Sequence, residues 1–138
     1  MAMQEKYNDA TANRPNGSRL IDASLIGIDI KEYISQIKDE EAWHKNDRNA
    51  ITLFKSDNMR LVLAAFHENA SMPGNTTSGT ISVQVLEGHI KITSGLGQMD
   101  LRKAQMATLH GEVPYSITAN EESVFLLTIA VIKHKDTL

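Results

Sequence analysis

Five histidines and no cysteine bound the side-chain chemistry open to this chain. Without thiols there are no disulfides, no thiolate zinc sites and no sulfur nucleophile. His44, His67, His89, His110 and His134 are spread so that no two stand two or four residues apart, the spacings that put ligands on one face of a strand or helix. A histidine metal site would need the fold to join distant members, such as His67 and His110. His44 and His134 flank charged residues and read as solvated. His110 and Glu112 could form a general acid–base pair and Tyr115 could serve as an acid, yet nothing local places any of them in a cleft. There is no Gly-x-Ser-x-Gly elbow, no glycine loop for phosphate and no dinucleotide fingerprint. Residue chemistry alone therefore names no catalytic residue, no metal ligand and no cofactor.

The elements that must position these residues belong to one domain, since 138 residues hold one proper core and not two. A net charge of −3 without a basic stripe argues against a nucleic-acid partner. The longest apolar run, Val124 to Ile132, is broken by Thr128 and falls far short of the roughly 20 residues that span a bilayer. The stretch from Met1 to Lys6 has no apolar core of the signal-peptide kind. A cytoplasmic protein with no membrane partner is the expectation.

Residues 1–18 are polar and lack an apolar period, which predicts a flexible arm; the other reading is a strand that docks on a second subunit. Residues 19–49 form an N-terminal segment with one helix. Asp29 and Glu32 have the spacing of a capping box, and Ile30, Tyr33, Ile34 and Ile37 follow at helical spacing, predicting a helix over 31–41. Trp43, just after it, is expected to plug the junction between helix and sheet. From Ala50 to the end, 50–138, the apolar period is two. Short strands are predicted at 51–54, 60–67, 80–86, 89–93, 99–101, 105–109, 116–119 and 123–132, with Gly and Pro at the turns. Ser94-Gly95-Leu96-Gly97 should be a hairpin loop. The last strand is apolar on both faces and so should lie centrally or be covered on both sides. This rhythm predicts an all-β antiparallel sandwich or barrel.

The stretch from Asn75 to Tyr115 resembles the core of the cupin superfamily, small RmlC-like jelly-roll barrels (double-stranded β-helices). Val85-Leu86-Glu87-Gly88 matches the turn closing that family's first motif, and Pro114-Tyr115 stands where the second motif has Pro-His. The resemblance covers roughly Ala50 to Ile132. Carried back from Gly88, the family's glutamate position becomes Ile81 and its two histidine positions become Thr77 and Asn75; the second-motif histidine becomes Tyr115. All four expected ligands are replaced, and neutral oxygen donors hold first-row divalent metals poorly. The resemblance thus implies the barrel without its metal.

The expected function is that of a metal-free small-molecule binding protein without a cofactor, its pocket formed by Asn75, Thr77, Ile81, Val83 and Tyr115. A few polar groups in an apolar cup are what such sites require. Two other readings stand beside it: a protein-interaction or regulatory module, and an enzyme using unusual metal ligands or Tyr115. The resemblance also implies a homodimer, with the apolar residues between Leu20 and Ile30 available for the contact.

Overall fold

The computed structural model describes residues 5–9, 11, 14 and 18–131. In chain order it contains β1 (Lys6–Asn8), β2 (Arg19–Asp22), α1 (Ile30–Asp39), α2 (Glu41–Lys45), β3 (Arg48–Lys55), β4 (Met59–Phe66) and β5 (Ser71–Asn75). There follow β6 (Ile81–Glu87), β7 (His89–Ser94), β8 (Gly97–Arg102), β9 (Met106–Leu109), β10 (Tyr115–Ala119) and β11 (Ser123–Ala130). A five-stranded sheet in the order β3-β4-β11-β6-β9 faces a four-stranded sheet in the order β5-β10-β7-β8. All pairings are antiparallel. This is the expected all-β jelly-roll architecture.

Period two in the sequence becomes two-sidedness in the sheets. Ile81, Val83 and Val85 of β6 and Ile90 and Ile92 of β7 are buried together between the sheets with Tyr115, Ile117 and Ala119 of β10. Phe66 and Phe125 meet edge to face there, with centroids 5.0 Å apart. The strand β11 does lie centrally, as its composition requires. Phe125 and Leu127 face the space between the sheets, while Val124 joins a second cluster with Ile37, Trp43, Ile51, Leu53, Leu63 and Ala65 under the helices.

Asp29 caps α1 by accepting from the Glu32 N–H at 3.2 Å, and Ile37 is its fully buried contact with the sheet. The helix stops at Asp39, and a short second helix, which the sequence did not announce, carries Trp43 inward. Trp43 is buried and stacks on His67, with ring centroids 3.4 Å apart, and the His67 Nε2 lies 2.8 Å from the Trp43 carbonyl. The β6–β7 turn requires Gly88. Its φ is +86°, and a Cβ there would stand 2.3 Å from Ser123 Oγ. That buried hydroxyl accepts from the His89 N–H at 2.9 Å and so pins the turn to β11.

Two stretches differ from expectation. Lys6–Asn8, inside the segment read as an arm, pair with β2 of the same chain. Ser71–Asn75 form a strand despite Pro73 and Gly74, because β5 is an edge and one of its sides needs no ladder donors. Ile132, expected to end the last strand, lies outside the described residues, as does most of the arm.

Candidate functional site

Strands β8 and β9 are the outer edges of their two sheets on the same side of the sandwich. Between them the sheets part around a cavity of about 230 Å³. Ile81 and Val83 of β6, and Ala107 and Leu109 of β9, form one wall; Ile92 of β7 and Met99 of β8 form the other. Register explains the set. Ile81 pairs with Leu109, Val83 with Ala107, and Ile92 with Met99, so each pair points into the same space. Of the polar residues in the lining, Ser94 shares the inward parity of Ile92, whereas Gln98 and Thr108 alternate with the inward residues of β8 and β9 and border the cavity with their backbone. The expected hairpin loop forms as Ser94 pairs with Gly97, which sets Leu96 at its tip, 81% exposed.

The five residues singled out from the sequence are placed as follows. Ile81 and Val83 line the cavity. Tyr115 lies one strand further in, on β10 next to β7, and is packed in the same core cluster as Ile81, Val83 and Ile92. Burial pushes its phenol above the ordinary value of 10. Asn75 is the register partner of Tyr115 on β5 and is half-buried. Thr77 belongs to a different place: it lines a shallow cleft with Thr76, Ser78 and Glu112. Its hydroxyl donates to the Gly79 carbonyl at 2.8 Å, and its own carbonyl accepts from the Glu112 N–H at 2.6 Å. Sequence reasoning missed the contribution of β8 and β9. The inward parity of Ala107 and Leu109 was readable, but not that their strand would be an edge facing β8.

The described histidines do not assemble, and His134 lies outside the described residues. Phe66 pairs with Ser123 at one end of β11, while Ile129 near the other end pairs with Ile81, and Ile81 pairs with Leu109. His67 follows Phe66 and His110 follows Leu109, so they sit at opposite ends of the sheet, about 20 Å apart along the strand direction. His89 lies on the outer face of the four-stranded sheet, where its Nε2 is 3.1 Å from Asp100 Oδ1 and 3.1 Å from Asn120 Nδ2. Among the described residues no three His, Asp or Glu side chains are grouped as a metal ion would require. Glu112 is separated from the cavity as well, in the cleft beside Thr77.

No protein-family model matches the sequence, and no curated protein does either. Solved structures do resemble it. A cupin superfamily protein from Desulfitobacterium hafniense DCB-2 superposes with a TM-score of 0.61 at 18% identity, over 63% of this chain and 80% of that one. An RmlC-like cupin from Shewanella frigidimarina NCIMB 400 gives 0.59 at 11% identity, over 64% and 79%. A salicylate 1,2-dioxygenase from Pseudoaminobacter salicylatoxidans gives 0.58 at 15% identity, over 72% of this chain and 31% of the enzyme. No helix among the described residues is long and apolar enough to cross a membrane. The strand order, the Gly88 turn and these likenesses agree: the chain has the fold of the RmlC-like cupins.

Proposed function

We propose that this protein binds a small molecule in the cavity between its two sheets and does so without a metal ion. The observation that carries the reading is the cavity itself, apolar in its walls and provided with the Ser94 hydroxyl as a neutral polar group. The chemistry of the residues at the family's metal positions supports the second half. Ile81 offers no donor and is buried at 2% exposure. Thr77 lies outside the cavity, in the cleft with Glu112. Tyr115 would have to ionise to bind a divalent cation well, and its burial opposes that. These residues do not fit a metal, and no reaction step is assigned to one.

A salicylate 1,2-dioxygenase shares this scaffold, but among the described residues no three His, Asp or Glu side chains group as metal ligands, which favours binding over turnover. The cytoplasm and a homodimer complete the proposal. For the dimer, Ile21 and Ala23 are already buried within the chain, and Ile28 and Ile30 pack on the second cluster. That leaves Leu25, 89% exposed, as the apolar residue offered for contact.

Equilibrium dialysis against a cytosolic metabolite extract, read by mass spectrometry, tests the binding reading. Wild-type protein should retain a small molecule that Ala107→Phe, which fills the cavity, does not. Equal retention by both, or retention of nothing, would overturn it.

A further inference from the structure

The same cavity says what charge and size its occupant has, an inference that rests on the binding reading above. We propose that it takes an uncharged, mostly apolar molecule of about ten non-hydrogen atoms, admitted sideways between β8 and β9. Size follows from volume. A dry cavity of about 150 Å³ accepts benzene, so about 230 Å³ accommodates a single ring with a short substituent.

Charge follows from how the strands divide their residues. Every residue in the lining is neutral at pH 7. The ionisable groups of the same strands alternate to the outer face: Lys91 pairs with Asp100 in register, and Asp100 is turned to His89. An ionised ligand would lose its water and meet no counter-charge, a cost that a neutral ligand avoids. What the lining does offer is hydrogen bonding. Ser94 Oγ accepts from the Leu96 N–H at 3.1 Å, which leaves its own proton for an oxygen on the ligand.

The route follows from a gradient of exposure. Leu101 and Met99 share the inward face of β8, yet Leu101 is 3% exposed and Met99 is 53% exposed. At the Leu101 end the β8–β9 connection is tied to β6, the Ala104 N–H donating to the Val85 carbonyl and the Val85 N–H to the Gln105 carbonyl. At the Met99 end no such tie is found among the described residues, and Leu96 and Met99 form the rim of an opening.

The test is a methyl-detected NMR titration with three probes of matched size: benzyl alcohol, benzoate and benzylamine, each at pH 7. Benzyl alcohol should shift the methyls of Ile81, Val83 and Leu109 saturably, and the two ions should bind at least about tenfold more weakly. If either ion shifts the same methyls as strongly, the neutral-ligand proposal is wrong while the binding reading survives. If none of the three gives a saturable shift at these methyls, both fall. Met99→Glu, at an exposed position that folding tolerates, tests the route. It should raise the association rate of benzylammonium, read from NMR line shapes, at least about fivefold through one added charge at the rim, and an unchanged association rate would overturn access between β8 and β9.

Discussion

Among the described residues, three without glycine's freedom sit in the left-handed backbone region: Asn69 at φ +72°, Ala104 at +69° and Glu112 at +66°. Asparagine tolerates this conformation, whereas Ala104 and Glu112 each bear strain of about 1 kcal/mol. Ala104→Gly and Glu112→Gly should therefore each stabilise the protein by about 0.5 kcal/mol, after the greater entropy of glycine in the unfolded chain is subtracted. Urea unfolding measures this, and a loss of stability would show that the strain is not there. The reverse holds at Gly79, where a Cβ would lie 1.7 Å from the Ala130 carbonyl oxygen. Gly79→Ala should cost about 3 kcal/mol or more, because two backbones must move apart. Tyr115 carries a pH signature. Its phenol titrates above 10 in the folded protein, so the stability tied to its neutral form is complete below pH 10 and declines as pH rises further. Tyr115→Phe should flatten that alkaline decline in a denaturation series from pH 8 to 11; an unchanged slope would mean that the phenol is not the group responsible.

The helical cap is held to the sheet by packing and by one buried-edge carboxylate. Glu40, which ends α1, accepts from Arg14 at 2.8 Å through two nitrogens, from Asn49 at 2.9 Å and from Gln36 at 3.2 Å. Burial alone would raise its pKa, but these donors outweigh it and hold the carboxyl below the ordinary 4.5. A depressed value means that the stability Glu40 contributes is present above pH 4.5 and is lost as pH falls through its folded pKa. Glu40→Gln should cost about 1–2 kcal/mol at pH 7 and remove part of the acid limb of the stability curve, read by circular dichroism between pH 3 and 7. Trp43→Ala should cost about 3–5 kcal/mol by emptying the space against His67 and Ile37. At this scale the sequence was informative where burial imposes a period. The two-faced apolar run of β11 announced a central strand, and Asp29 with Ile30, Tyr33, Ile34 and Ile37 announced α1. It was silent where pairing alone makes the element. The Ser-Met-Pro-Gly-Asn stretch of β5 has Met72 as its one large apolar side chain, too little to show a period, and α2 is too short to show one.

At the scale of the whole molecule, two sheets share one core and spread apart at one lateral seam. The cupin resemblance, carried back from Gly88, implied a pocket with Ile81 and Tyr115 beside Val83; in the structure these three residues lie in one core cluster. It did not imply that Thr77 would lie in the cleft with Glu112, because that placement depends on a contact between two loops, the Glu112 N–H donating to the Thr77 carbonyl. Nor could it locate the seam, which depends on which strands end as edges. Under the proposed function this scaffold holds an apolar cavity and no metal ion, with Asn75, Thr77, Ile81 and Tyr115 at the positions that the cupin resemblance implies for ligands. Metal analysis tests that claim most directly, on untagged protein purified without chelators and quantified by plasma mass spectrometry. The account predicts iron, manganese, nickel and zinc each well below one atom per chain; any one of them at one atom per chain would contradict it.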